Sequence, residues 1–172
     1  MADEIEMQIG DAIFDGNFET AQSILHDNPA YFDHHFVDKT WLMEAAYNGS
    51  VEFCKFLLES GCDINARGSN VFRESTALIV AINRGHIEVV RYLLGQGADP
   101  NIGRALFGAI GNKQGNGLEI CKLLVKHGVD VNQKFLMFDD ANNVRTALDF
   151  AARKPEFADY LRSVGAKSAT EL

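Results

Sequence analysis

Apolar residues recur along this chain at i, i+3 and i+4 in short blocks, the spacing of one helix face. Leu42, Ala45 and Ala46 lie this way, and Leu78, Ala81 and Ile82 repeat the pattern. Further blocks start at Ala105 and Ala147, and a degenerate one spans residues 9–19. These faces are rich in alanine, so a neighbouring helix can approach closely. A second block follows each first one, richer in Leu and Phe: residues 52–58, 88–94, 119–125 and 156–162. Gly49 and Gly85 separate the two blocks of a unit, while Gly61, Gly97 and Gly128 stand just past the second, where a left-handed helix cap favours glycine. The pattern predicts a unit of helix, turn, helix and loop.

A unit of this size cannot cover its apolar face alone, and stacking neighbours buries it. The expected architecture is one domain over residues 1–172. Its units fall at about 4–30, 37–66, 73–101, 103–132 and 143–168, and the terminal ones act as caps. The spacing is uneven. Leu42, Leu78, Leu106 and Leu148 are 36, 28 and 42 residues apart, so the loops carry the variation.

Three units close alike, as Gly61-Cys62-Asp63-Ile64-Asn65, Gly97-Ala98-Asp99-Pro100-Asn101 and Gly128-Val129-Asp130-Val131-Asn132. Three open with Thr-x-Leu, at Thr40, Thr76 and Thr146; the third unit has Arg104 there. Gly85-His86-Ile87-Glu88 carries a central Gly-His-x-Glu motif. These residues resemble the ankyrin-repeat family. The resemblance implies an all-α solenoid of about five helix-turn-helix units with finger-like loops, and a function in protein–protein binding. It places Tyr47, Asn48, Asn83, Arg84, Gly111, Asn112, Arg153 and Lys154 on the concave groove. Lys39, Ser75 and Arg145 fall at finger tips. Trp41 stands where the family has proline; it is either a partly exposed hot spot or a filler beneath residues 28–39.

The long loops are further candidates, because binding residues concentrate on loops held by a rigid scaffold. The loop over residues 133–145 contains Phe135, Met137, Phe138, Asp139 and Asp140. Its aromatics either anchor a partner or fold back onto the last units. Phe72 and Arg73 carry the same pair of readings. An insertion at residues 112–117 separates the two blocks of the third unit.

Composition narrows the function. Hydrophobic residues make up 47% and charged residues 23%, which suits a packed core. Lys and Arg number 16 against 24 Asp and Glu, a formal net charge of -8. That balance opposes nucleic-acid binding and an anionic membrane surface, and would draw in a basic protein. With no signal-like start and an odd three cysteines, the expected setting is the cytoplasm. Cys54 and Cys121 share one repeat position and read as core residues. Asp33-His34-His35 lacks partners for a tetrahedral metal site. The expectation is therefore a non-catalytic binding module, monomeric when free, with no cofactor or metal. Its ending resembles small bacterial ankyrin proteins, some of which are immunity proteins against toxins. A regulatory adaptor or inhibitor of a host enzyme is the alternative.

Overall fold

Thr40, Thr76 and Thr146 each have an extended backbone and accept a hydrogen bond from the backbone N–H three residues on. A threonine N-cap satisfies one of the free donors of a helix start, which is why the chain turns helical there. The computed structural model describes residues 4–32, 35–36, 38–69, 75–137 and 140–172. Five helix pairs follow one another: α1 (Glu4–Phe14) and α2 (Phe18–Asp27), then α3 (Trp41–Asn48) and α4 (Val51–Glu59). After them come α5 (Ala77–Arg84) and α6 (Ile87–Gly95), then α7 (Ala105–Gly111) and α8 (Gly117–Lys126). The last pair is α9 (Ala147–Phe150), which tightens into a 3-10 turn over Ala151–Arg153, and α10 (Pro155–Ser163).

The first helices pack in a row, α1 on α3, α3 on α5, α5 on α7 and α7 on α9. The second helices form another row, α2 on α4, α4 on α6 and α6 on α8. Between the rows lies one continuous core, with Ala45, Ala46, Ala81, Ala109 and Ala151 on the tight inner side and Phe53, Leu57, Val90, Leu93 and Leu124 on the thicker outer side. This is the all-α repeat solenoid.

Gly49 and Gly85 both cap the first helix of a unit in the left-handed region, at φ 76. Gly49 has a second constraint. A Cβ there would lie 2.8 Å from the ring of His86, which sits one unit later and bonds the Tyr47 carbonyl at 3.0 Å through Nε2. The Asp-x-Asn closings stitch the outer turns in the same way. Each Asp accepts the N–H of its own Asn: Asp63 that of Asn65, Asp99 that of Asn101, and Asp130 that of Asn132. Each Asn side-chain oxygen then accepts from the next unit, at Asp99, Asp130 and Lys167. The aspartates are therefore occupied by turn-building.

The loops add two short antiparallel hairpins among the described residues. β1 (His35–Phe36) pairs with β2 (Lys39–Thr40), and β3 (Phe135–Met137) pairs with β4 (Asp140–Arg145). The insertion at residues 112–117 is fastened to the unit before it. Asn112 Nδ2 donates to the Ile82 carbonyl at 2.9 Å, and Asn116 Nδ2 to the Gly85 carbonyl at 2.7 Å.

At the last unit the Asp149 carboxylate completes a capping box with Thr146 and also accepts the N–H of Ala169 at 2.9 Å. Burial alone would raise its pKa. The Thr146 and Ala169 donors, the Thr146 hydroxyl and nearby Arg145 outweigh that and hold it below its ordinary 3.8. A carboxyl with a depressed pKa contributes stability fully above 3.8 and loses it as pH falls through the lower folded value. Asp149→Ala removes the N3 half of the capping box and is expected to cost about 0.5–1.5 kcal/mol at neutral pH, the net worth of a hydrogen bond. The gap between parent and variant narrows below pH 3.8 in circular-dichroism melts. A gap that stayed constant into acid would show that the charge plays no part.

Candidate protein-interaction surface

Tyr47 lies in the last turn of α3 and is 39% exposed. Two cations from different segments frame its ring. Lys39, from β2, holds its Nζ 5.2 Å from the ring centroid, and Arg84, from the end of α5, lies over it at 4.0 Å. Lys39 also pairs with Glu44 at 2.8 Å. The structure thus brings together three of the residues expected from sequence. Asn48 and Asn83 lie beside them at the helix ends, both exposed. Asn48 donates to the Glu44 carbonyl, and Asn83 Oδ1 lies 2.8 Å from where a Cβ on Gly108 would stand, so the glycine makes room for it.

Phe14 is an exposed aromatic that the sequence did not single out. It ends α1 and is 85% exposed, far more than Tyr47. The two are equivalent: in the alignment of the first unit with the second, Ala12, Ile13, Phe14 and Gly16 stand where Ala45, Ala46, Tyr47 and Gly49 stand. The signal was present in that alignment, hidden by the degeneracy of the first copy.

Trp41 is a correction. It is fully buried, and its indole Nε1 donates to the Tyr31 carbonyl at 2.8 Å. It fills the space under the 29–32 segment and has no face to offer a partner. Phe32 packs on Phe56 in the same region, with ring centroids 5.9 Å apart.

At the other end of the row the residues are spread out. Phe135 is half-buried, edge-on to Phe107 at 5.0 Å, so it packs back on α7. Leu136 beside it is 46% exposed. Phe150, which the sequence did not single out, is 45% exposed and also packs on Phe107, with ring centroids 5.2 Å apart. Arg145 is exposed, with Nε donating to Asn143 Oδ1 at 3.2 Å, and Arg153 is exposed in the 3-10 turn. Lys154 turns inward to the Ile110 carbonyl. Met137 and Asp140 pair through their backbones in the hairpin. Phe72, Arg73, Phe138 and Asp139 lie outside the described residues.

Residues 9–104 match the family model for ankyrin repeats, in three copies. The chain belongs to the ankyrin-repeat family. Ankyrin repeats are generally protein–protein interaction modules, typically without catalysis. The match stops where Arg104 replaces the capping threonine, just before the longest interval, from Leu106 to Leu148. No curated protein matches the chain.

No group of three or more His, Cys, Asp or Glu among the described residues could hold a metal ion. Burial pushes the thiols of Cys54 and Cys121 up to about 12, so neither offers a thiolate near neutral pH. Among the described residues no helix is long and apolar enough to cross a membrane. The acidic balance has a partly structural origin. Glu19, Glu52, Glu88, Glu119 and Glu156 each sit in the first turn of an outer helix, where the helix dipole favours a negative charge. The cations Lys39 and Arg84 stand instead on the inner side.

Proposed function

We propose that this ankyrin protein captures a partner protein on its inner-helix face, with Phe14 and Tyr47 as anchors, and that occupying the partner inhibits it. The observation that carries the reading is the pair of exposed aromatics at equivalent positions of consecutive units. A phenylalanine left 85% exposed forgoes most of the stabilisation of burying it, about 1.5–3 kcal/mol. Aromatic anchors flanked by arginine are what interface hot spots are made of. The finer role we propose is neutralisation, of the immunity type directed against a toxin. The net charge of -8 favours a basic partner over the whole chain; at Tyr47 itself Arg84 favours an acidic group at the contact, while Lys39 is already paired with Glu44.

The test is capture from cell extract by the immobilised protein, with partners identified by mass spectrometry. The combined variant Phe14→Ala, Tyr47→Ala and Arg84→Ala alters exposed groups only, so its melting midpoint should stay close to the parent's. Its affinity for the captured partner is expected to fall at least about 30-fold, equivalent to one hot spot of about 2 kcal/mol. Undiminished capture would move the interface off this face. A captured toxin whose activity the protein blocks supports the immunity role; a captured metabolic or signalling enzyme favours the regulatory one.

A further inference from the structure

The net negative charge of this protein is confined to one end of the stack. Residues 1–38 hold nine Asp and Glu and no Lys or Arg, a formal charge of -9. Residues 39–172 hold all 16 Lys and Arg against 15 Asp and Glu, a formal charge of +1. Within the first unit, Glu4, Met7, Asp11 and Phe14 of α1 follow one another at intervals of three, four and three residues, which places them on one helix face. All four are exposed, Met7 at 54% and Phe14 at 85%, while Ile9, Ala12 and Ile13 of the same helix are buried in the core. A terminal unit needs a polar outer face for solubility, and two large apolar side chains left in water run against that need.

The second unit shows what completes such a face. In the alignment that makes Phe14 and Tyr47 equivalent, Asp11 corresponds to Glu44 and Glu6 to Lys39. In the second unit the Lys39 ammonium pairs with Glu44 at 2.8 Å and lies 5.2 Å from the centre of the Tyr47 ring. One cation thus serves a carboxylate and an aromatic face together, and both attract the same charge. The first unit repeats the carboxylate and the aromatic but has no Lys or Arg of its own to set between them. Phe14 is correspondingly 85% exposed where Tyr47 is 39% exposed.

We propose that a basic, apolar segment of a partner protein completes the first unit: a Lys or Arg of the partner pairs with Asp11 and lies over the Phe14 ring, and apolar side chains beside it cover Phe14 and Met7. This role rests on the inner-helix face being the binding face, and it gives the acidic end of that face to the partner's basic segment. Charge complementarity selects the occupant. A nucleic acid would bring phosphates to a unit of formal charge -9 that holds no Lys or Arg. A second copy of this chain offers a formal charge of only +1 outside its own acidic first unit. A small polycation would meet the carboxylates but leave Met7 and Phe14 in water.

The experiment selects a displayed library of random dodecapeptides on the whole protein, then measures the best binders as synthetic peptides. The expected binders combine Lys or Arg with apolar residues and weaken as salt rises. Asp11→Lys and Phe14→Ala should each lower their affinity at least about tenfold, through a like-charge contact and a lost aromatic anchor. Both side chains are exposed, so the melting midpoint should hold. Should Asp11→Lys melt early, Asp11→Asn keeps the side-chain shape and should lose about threefold. A peptide with Glu in place of its Lys or Arg should fail on the parent and bind the Asp11→Lys variant, the signature of a direct charge pair. Selection of no binders, of neutral or acidic peptides, or of peptides that ignore Asp11 and Phe14 overturns the proposal. So does displacement of the peptides by an equal concentration of spermine, which would make the site one for charge alone. The captured partner separates this site from the wider face. A partner that loses affinity for the Phe14, Tyr47 and Arg84 triple variant but ignores Asp11→Lys keeps the inner-helix face and overturns the basic segment. Basic peptides that follow Asp11 and Phe14, beside a partner that ignores the triple variant, keep the site and move that partner to another face.

Discussion

Trp41→Ala is expected to destabilise the protein by about 3–5 kcal/mol, the cost of truncating a large buried aromatic. The side chain is fully buried among the first two units, and the cavity it would leave cannot be filled by the small alanines around it. The change also strands the Tyr31 carbonyl that now accepts the indole N–H. A domain of this length shifts its melting midpoint by about 2–4 °C per kcal/mol, so the midpoint should fall by about 6–20 °C. Repeat proteins are held by neighbour-to-neighbour interfaces, and a weak interface can release the units beyond it separately. Hydrogen exchange should therefore show residues 4–32 losing protection before α5 to α8. Affinity per folded molecule should be unchanged, since Trp41 presents nothing to a partner. An unchanged midpoint with reduced binding would reverse that assignment.

Leu93→Ala is expected to cost about 2–5 kcal/mol and to act differently. Leu93 lies on α6 at the middle of the outer row, with α4 on one side and α8 on the other, and is fully buried. Loosening it weakens both flanking interfaces at once, so no large intact block remains. The melt should stay a single transition at a lower midpoint, with protection lost together across α3 to α8. The contrast between the two variants tests how stability is distributed along the stack. A Leu93→Ala protein that melted like the parent would place Leu93 outside the core and undo the helix register.

Much of this architecture can be read along the chain. The i, i+3, i+4 pattern of Leu78, Ala81 and Ile82 settles which face of α5 is buried, because the face depends only on helix period and neighbour size. The same holds for the threonine caps and for Gly49 and Gly85, whose roles are local to one turn of backbone. Even the Asp-x-Asn closings are legible as turns, since each aspartate reaches only two residues along the chain.

The candidate site was less legible. Tyr47 and Arg84 stood in the expected groove positions, and Lys39 at a finger, yet no spacing rule indicated that two cations would close over one ring. Trp41 occupied a position where exposure and burial were both possible, and its outcome depended on where the 29–32 segment settled. Phe135 sits in a loop of apolar residues whose direction only the hairpin register decides; one slip of register exchanges its place with that of Leu136.

By itself, then, the sequence determined the repeat, the helix faces, the capping residues and the uneven finger lengths, because each follows from contacts between residues close in the chain. Tertiary structure alone decided that Trp41 is a core residue and that Phe14 stands exposed one unit before Tyr47. Those outcomes join groups that no helix period links, such as Trp41 and the Tyr31 carbonyl ten residues before it. They depend on how units stack and how far each loop reaches, which no local pattern encodes.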